Sequence, residues 1–217
     1  MTSQLKDVDQ HHSMKESNVP GPVSDSEYEA AKHVFPPSRD PKIVEWKKQL
    51  TGLSTSEVSI REATELVRDG RRLGDLQRVC HRMPIRDVKE NATEITERLV
   101  LLAEIDGVHV GFCVASPGLL DSDPLFIREV AVVQEAQRLG IGLELLAKAA
   151  DRGPRRDIAL ATQDDNAEAR AMNAKFATSI GASIGRVNLN TYRDCDLGIR
   201  RGLGYRAWLI QRQPVED

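Results

Sequence analysis

Two glycines stand where a short apolar run gives way to a helical pattern. The run covers residues 130–133, and Gly140 and Gly142 lie in the segment 137–142. The first turn of a helix offers backbone N–H groups without an internal partner, and the aligned peptide dipoles place partial positive charge there. Glycines let a phosphate approach these groups closely. The order strand, glycine turn, helix is typical of a phosphate-binding loop, although two glycines taken alone more often serve a tight connection between strand and helix.

Cysteine and histidine offer little further chemistry in this chain. Cys80, Cys113 and Cys195 are odd in number and widely spaced, which argues against a disulfide framework and against a zinc site. The five histidines are scattered, and two of them, His11 and His12, lie in a polar stretch. We therefore predict no metal site and no nucleophile activated by histidine.

The composition is that of an ordinary globular protein. The 217 residues are 40% hydrophobic and 29% charged, which suits one domain with a buried core plus an appendage. A net charge of −3 gives no reason to expect a nucleic-acid partner. No apolar run approaches the roughly 20 residues of a membrane helix, and no secretory leader pattern is present. We expect a cytoplasmic protein without a membrane partner.

The elements before the glycine turn include one clear hairpin. A strand at 58–63 is followed by helical patterns at 65–79 and near 85–92. Two β-rich runs then flank Asp106 and Gly107, a pair that favours a primed turn because both residues tolerate positive φ. The sequence predicts two antiparallel strands here and a further strand at 125–133.

The elements after the turn predict a crossover connection. A helix from Ile141 leads to a strand at 157–161, so that the flanking strands run parallel. Asp165 and Glu168 have the spacing of a capping box, which predicts that Asp165 caps the next helix. Two β-like runs, 183–189 and 205–210, close the pattern.

We divide the chain into an N-terminal arm, 1–55, and a domain, 56–217. The arm is rich in proline and polar residues and is expected to be partly disordered. A short helix is predicted near 42–50, where Ile43, Trp46 and Leu50 share one face, and another could form at 26–32. The arm is expected either to cover the acceptor side of the domain or to mediate contacts in a homodimer.

This order of elements resembles the GCN5-related N-acetyltransferase (GNAT) family over roughly residues 56–211. The most specific segment is 132–142, which matches the family pattern of a valine, an acidic loop residue, Gln or Arg, and two glycines separated by one position. The resemblance implies an α/β fold with a mixed, mostly antiparallel sheet and helices on both faces. It also implies that the parallel fourth and fifth strands splay apart to admit coenzyme A.

The resemblance implies acetyl-CoA as the acyl donor. The backbone of the glycine loop would hold the pyrophosphate, and the main chain of the fourth strand would pair with the pantetheine arm. The N–H of Val132 would face the thioester oxygen, where a donor stabilises developing negative charge. The implied cofactor-binding residues are Val130, Ala131, Val132, Gln137, Arg138, Leu139, Gly140, Ile141, Gly142, Asn166 and Asn173.

Glu129 is the candidate general base. An alkylamine is mostly protonated at neutral pH, so a base is useful before it attacks. Strand alternation puts Glu129 on the face opposite Val130 and Val132, and the family often carries an acidic residue at this point. The alternative is a structural ion pair with Arg128 or Arg98.

The general acid is less evident. The family often places a tyrosine on the helix after the fifth strand, but this chain has Asn173 or Ala177 there, depending on the alignment. Tyr192 and Tyr205 lie in the region that lines the family's acceptor side, so either could replace it. Release of the thiolate to water without a dedicated acid is the third option.

We predict an enzyme that moves an acetyl or other short acyl group from acetyl-CoA to a primary amine of a small molecule or protein. The competing hypothesis is a GNAT-like acyl-CoA-binding or interaction module without catalysis. A dinucleotide-dependent oxidoreductase is disfavoured because its Gly-x-Gly-x-x-Gly unit is missing. Charges around the expected acceptor site conflict in sign: Asp121, Asp123, Asp194 and Asp196 against Arg193, Arg200 and Arg201.

Overall fold

The computed structural model of the protein describes residues 41–53 and 57–213. The helices are α1 Pro41–Thr51, α2 Leu66–Val79, α3 Val88–Glu97, α4 Ile141–Ala150, α5 Ala167–Ser179 and α6 Asp194–Leu197. The strands are β1 Val58–Glu62, β2 Leu99–Ile105, β3 Val108–Pro117, β4 Leu125–Val132, β5 Ile158–Gln163, β6 Ser183–Val187 and β7 Tyr205–Gln211. The helix predicted at 26–32 falls outside the described residues, and the division into arm and domain stays a prediction.

The strands form one seven-stranded sheet in the order β1-β2-β3-β4-β5-β7-β6. Every neighbouring pair is antiparallel except β4 and β5, which are parallel. The parallel pair flanks the α4 crossover, as the sequence predicted. The predicted α/β fold with a mixed sheet is confirmed.

The tight turn between β2 and β3 has the predicted primed geometry. Asp106 and Gly107 have φ values of 51° and 76°, which a primed turn requires at both central positions. The turn fixes the register of a long hairpin in which Leu101 pairs with Cys113. Nearly every residue of β2 and β3 is buried, so both faces of this half of the sheet are covered.

Two helical layers cover the sheet. Helix α4 packs across β1 to β4 and buries Ile141, Leu145, Leu146 and Ala149, the face expected from the sequence. Helices α2 and α3 pack against each other and against β3 and β2. The loop between α2 and α3 reaches the face of β4 opposite to α4, which makes it part of the candidate site.

Helix α1 packs onto the core through three apolar residues. Ile43, Trp46 and Leu50 are all buried, in agreement with their helical spacing. The indole N–H of Trp46 donates to the carbonyl oxygen of His109 at 3.1 Å, and the two rings stack with centroids 4.6 Å apart. The helix therefore belongs to the packed body of the protein.

The start of α5 differs from the predicted capping box. The cap is Asn166, whose side-chain oxygen accepts a hydrogen bond from the Ala169 N–H at 3.0 Å. The prediction for Asp165 is wrong because its carboxylate pairs with Arg82, a residue 83 positions earlier in the chain. A distant arginine thus overrides a local capping preference.

Candidate functional site

A gap opens between β4 and β5 toward their carboxyl ends. The two strands pair only at Leu125 with Ile158, Phe126 with Ala159, and Ile127 with Leu160. Residues 128–132 of β4 and 161–163 of β5 have no partner across the gap within the described chain. The parallel pair is splayed, as the family resemblance implied.

Backbone donors of β4 point into this gap. The Val133 N–H bonds to the Val110 carbonyl of β3 at 2.9 Å. Because successive amides of a strand point in opposite directions, the Val132 N–H faces away from β3 and toward the gap. The Val130 N–H, two residues earlier, faces the same way. The gap is therefore lined by strand donors able to pair with an extended ligand.

The segment 138–142 forms a concave loop of free amides. The Leu143 and Glu144 N–H groups bond to the Gly140 carbonyl at 2.9 and 3.1 Å. The amides of residues 138–142 have no hydrogen-bond acceptor among the described residues. Arg138 and Gly140 have positive φ values of 67° and 86°, a backbone shape that gathers N–H groups around an anion.

The two glycines of the loop have different roles. A Cβ on Gly140 would meet nothing within 4 Å, so its requirement is the positive φ and an open approach for a ligand. A Cβ on Gly142 would lie 2.7 Å from the sulfur of Met172, so this glycine lets α5 pack closely over α4. Ile141 is buried and anchors the loop, whereas Leu139 is 47% exposed.

Gln137 ties the loop to the end of β4. Its side-chain amide donates to the Val132 carbonyl at 3.2 Å. This bond faces the gap side of the strand, beside the Val132 N–H. The loop and the strand donors are therefore held in one arrangement.

Glu129 is buried in a bidentate ion pair with Arg86. The guanidinium donates to the two carboxylate oxygens at 3.1 and 2.5 Å. Burial alone would lower the pKa of Arg86, but the hydrogen bonds from its guanidinium to Glu129 raise it. The sequence predicted Arg128 or Arg98 as the structural partner, and that choice is wrong because the loop before α3 brings Arg86 to the carboxylate.

The loop after α2 crosses the gap and contacts both of its sides. Arg86 holds Glu129 on β4, while Arg82 donates to the side-chain oxygen of Gln163 at the end of β5, at 2.9 Å. Arg82 also pairs with Asp165. Sequence reasoning missed both arginines because they lie in a segment without periodicity, where nothing local marks them as functional.

A β-bulge sets the direction of the side chains next to the gap. Val114 pairs with Glu129 and Ala115 with Ile127, so Arg128 is an extra residue on β4. Such a bulge re-aims neighbouring side chains. Gly198 follows α6 and packs on this point: a Cβ there would lie 2.9 Å from the Arg128 carbonyl oxygen.

The two candidate tyrosines lie at opposite ends of β5. Tyr192 packs edge-on against Phe126 with ring centroids 5.3 Å apart. Burial raises its pKa, and the nearby Asp157 and Asp123 raise it further. Tyr205 pairs with Gln163, the last residue of β5, at the wide end of the gap. Tyr192 thus lies near the closed end of the gap, and the structure does not bring the two hydroxyl groups together.

The two candidate asparagines of α5 differ in environment. The side-chain oxygen of Asn166 is engaged as the helix cap, which leaves its amide group for other contacts. Asn173 is 5% exposed, and Ala177, the other residue that the alignment allows at the family's tyrosine position, is also buried. Neither side chain can act as an acid.

The conflicting charges expected at the acceptor side largely neutralise one another. Arg201 pairs with Asp194 at 2.5 Å, and Arg193 pairs with Asp196 at 2.8 Å. A third pair joins Arg156 to Asp121 at 3.1 Å. These surface residues therefore do not define the charge of an acceptor.

Residues 41–53 and 57–213 contain neither a metal-binding cluster nor a membrane-spanning helix. No group of three or more His, Cys, Asp or Glu side chains there could hold a metal ion. No described helix has the length and apolar character needed to cross a membrane.

The model of the acetyltransferase (GNAT) family matches residues 71–177. A comparison with curated proteins found no match. Among solved structures, the diaminobutyrate acetyltransferase of Paenibacillus lautus, in complex with L-2,4-diaminobutyric acid and coenzyme A, is 20% identical. That match has a TM-score of 0.59 and covers 74% of this chain and 99% of the other.

Two further solved structures have the same fold. Naa50 of Arabidopsis thaliana, in complex with the bisubstrate analogue CoA-Ac-MVNAL, is 21% identical, with a TM-score of 0.53 and coverage of 72% of this chain and 99% of the other. The PaiA N-acetyltransferase of Thermoplasma acidophilum, in complex with coenzyme A, is 15% identical, with a TM-score of 0.53 and coverage of 70% and 98%. At these identities the likeness shows the fold.

Proposed function

The chain belongs, through residues 71–177, to the GNAT family of acetyltransferases, and from this premise we propose that it is an acyl-CoA-dependent N-acyltransferase. It would transfer an acetyl or other short acyl group from acetyl-CoA to a primary amine. The amine would attack the thioester directly while both substrates are bound. The acceptor would be a small molecule or a protein, two classes represented by the ligands of the similar structures.

The observation that carries this proposal is the continuity of free backbone donors from the gap to the loop. The Val130 and Val132 amides face the gap, and the amides of 138–142 face the loop's concave side. A thioester on an extended arm that ends in a pyrophosphate fits this arrangement: strand donors for the arm, and a helix N-terminus for the phosphates. Arg138 would add a charge-assisted contact.

Val132 would assist the acyl transfer itself. When bound, acetyl-CoA supplies an activated acyl group and a thiolate leaving group. Because the Val132 N–H is fixed by the strand and points into the gap, it can donate to the thioester oxygen as negative charge develops there. The Gln137 bond to the Val132 carbonyl holds the next peptide unit of the strand in place.

Glu129 would receive the proton of the attacking amine. Arg86 occupies two of the roughly four acceptor positions on the carboxylate, so the others remain for the amine or a bridging water. Arg86 would act as a positioning residue that fixes the orientation of the carboxylate. Glu129 and Arg86 flank the point where the β4–β5 ladder ends. The Glu129 carboxylate, as proton acceptor, would therefore lie beside the place where the acyl group is held.

The proton that the thiolate finally takes up has two candidate sources. Tyr192 carries its proton well above neutral pH because burial and two nearby carboxylates raise its pKa. Tyr205 lies at the wide end of the gap. Substitution of each tyrosine by Phe tests the two separately, and release to water predicts that neither change lowers kcat.

Two measurements on the purified protein test the function. Isothermal titration with CoA reports donor binding, and release of free thiol from acetyl-CoA with a panel of amines reports transfer. We expect micromolar CoA binding, and thiol release that depends on the amine. Binding without thiol release from any amine would favour the competing hypothesis of a binding module, for which the missing family tyrosine, replaced by Asn173 or Ala177, is the motivating observation.

A further inference from the structure

Arg128 carries a buried charge that the protein leaves without a hydrogen-bonded partner. Its side chain is 10% exposed. The Nε group is buried and lacks an acceptor among the described residues. The nearest carboxylate oxygen, on Glu94, is 4.0 Å from Nη2, which is beyond hydrogen-bond range.

The two carboxylates near Arg128 lie closer to other arginines than to Arg128. Glu129 is held by Arg86 in the bidentate pair. Glu94 Oε2 lies 3.1 Å from the Nε of Arg98, the residue that follows α3, although neither atom has a hydrogen-bond partner among the described residues. Arg98 also lies 3.6 Å from the exposed Glu97. Three guanidinium groups therefore share the buried Glu129 and the partly buried Glu94, and the 4.0 Å contact of Arg128 with Glu94 is the longest of these ion pairs.

The surroundings oppose the charge on Arg128. Burial lowers its pKa first, and the positive charge of Arg98 lowers it further, while Glu94 and Glu129 act in the other direction. A buried charge without a partner is costly for a folded protein, since desolvation is not repaid by an ion pair. Such a cost is tolerated where a ligand supplies the missing partner.

The position of Arg128 connects it to the candidate reaction site. It is the extra residue of the β4 bulge, directly before Glu129 and directly after the last residue that pairs with β5. The strand ladder ends at Ile127, so the guanidinium belongs to the residue that begins the gap. Gly198, after α6, packs closely on its backbone.

We propose that the acceptor amine also carries a carboxylate, and that Arg128 binds this carboxylate so that the amine is presented to Glu129. Arg128 is then the residue that determines acceptor specificity. The inference rests on the proposed acyl transfer and deepens it by naming the substrate class. A planar guanidinium matches a carboxylate in shape and charge, which makes arginine suited to this selection.

The test compares amino acids with their carboxamides on the CoA-loaded protein. The probes are 4-aminobutyrate, L-2,4-diaminobutyrate and L-lysine, each against the matching amide, and a short acidic peptide represents a protein source of the same carboxylate. Isothermal titration measures binding whether or not transfer follows. We expect at least one free acid to bind about tenfold or more tightly than its amide. Equal binding of every acid and amide, or no binding of any acid, overturns the inference.

Two variants at position 128 and one control test whether Arg128 causes the preference for the free acid over its amide. Arg128→Gln should abolish the difference between acid and amide, and Arg128→Lys should retain part of it because a charge remains. Arg186→Gln is the matched control, since Arg186 is an exposed arginine on β6. A preference that survives Arg128→Gln overturns the assignment.

A stability measurement separates substrate binding from a structural role. If Arg128 served to tie α3 to the sheet through Glu94, the thermal midpoint of Arg128→Gln would fall well below that of the wild-type protein. We expect it to be unchanged or raised, because the variant removes an uncompensated charge. A large fall would overturn the proposal.

The same titrations distinguish failure of this inference from failure of the proposed function. CoA binding and thiol release with neutral alkylamines, but no preference for carboxylates, would leave the acyltransferase standing and refute the role of Arg128. Preferential binding of carboxylates without any thiol release would support the acceptor site and refute catalysis.

Discussion

In the buried ion pair, loss of Arg86 should lower the free energy of unfolding more than loss of the charge on Glu129. Arg86→Met leaves the Glu129 carboxylate, whose side chain is only 5% exposed, without a partner, and should cost about 3–5 kcal/mol. Glu129→Gln removes a charge but keeps an oxygen that accepts from Arg86, and the remaining guanidinium is 18% exposed. This change should cost less, about 1–3 kcal/mol.

The asymmetry can be measured by urea unfolding followed by the fluorescence of Trp46 and Trp208. In thermal unfolding of a chain of this size, each kcal/mol of lost unfolding free energy corresponds to about 2–4 °C in Tm. Arg86→Met should therefore lower Tm by about 6–20 °C. The double variant Arg86→Met/Glu129→Leu replaces the pair by apolar groups and should recover most of the loss. Arg186→Gln, an exposed control, should stay within about 0.5 kcal/mol of the wild type.

Two results would refute this reasoning. One is a cost for Glu129→Gln that exceeds that of Arg86→Met. The other is a double variant whose loss equals the sum of the losses of Arg86→Met and of Glu129→Leu measured singly, which would mean that the groups are not coupled.

Three other predictions follow from the geometry. Gly140→Val should lower the free energy of unfolding by about 1–2 kcal/mol, because the φ of 86° is unfavourable for a residue with a side chain. It should also weaken CoA binding in isothermal titration, and unchanged binding would contradict the assignment of the loop. Burial alone would raise the pKa of Asp69, but hydrogen bonds from Arg61 and from two backbone amides lower it to about 2. The free energy of unfolding should therefore fall by about 2 kcal/mol as the pH drops from 4 to 2. Asp69→Asn should remove this part of the acid sensitivity. Burial raises the pKa of the Cys80 and Cys113 thiols to about 12. A thiol reagent at pH 8 should therefore label the exposed Cys195 first. Rapid labelling of Cys113 would contradict its burial.

Much of the fold could be predicted because local signals and tertiary packing agree. The Asp106-Gly107 turn has one favoured geometry, and the apolar face of α4 admits one way of packing. The glycine loop was equally readable, since Gly140 takes a backbone conformation that other residues avoid. In these places a short stretch of sequence contains the whole physical reason for its structure.

The partners of the charged groups could not be predicted in the same way. Glu129 meets an arginine 43 positions earlier, and Asp165 leaves its expected cap for Arg82. Ion pairs of this kind depend on how a loop without periodicity folds back across the sheet. The weak pairing of Arg128 is also invisible in the sequence, because it arises from the closer approach of Glu94 and Glu129 to other arginines.

The ladder between β4 and β5 is short, so the two parts of the sheet that it joins are weakly connected at this point. Three residue pairs join β1–β4 to β5–β7 directly, and the arginines of the loop after α2 provide a second connection. A ligand that pairs with both edges of the gap would act as a substitute strand and complete the sheet. The resistance of the two halves to separation would then rise with the concentration of that ligand, by about 2.7 kcal/mol at one hundred times its Kd. A rise in the unfolding free energy with ligand concentration would therefore report occupancy of the gap independently of any reaction.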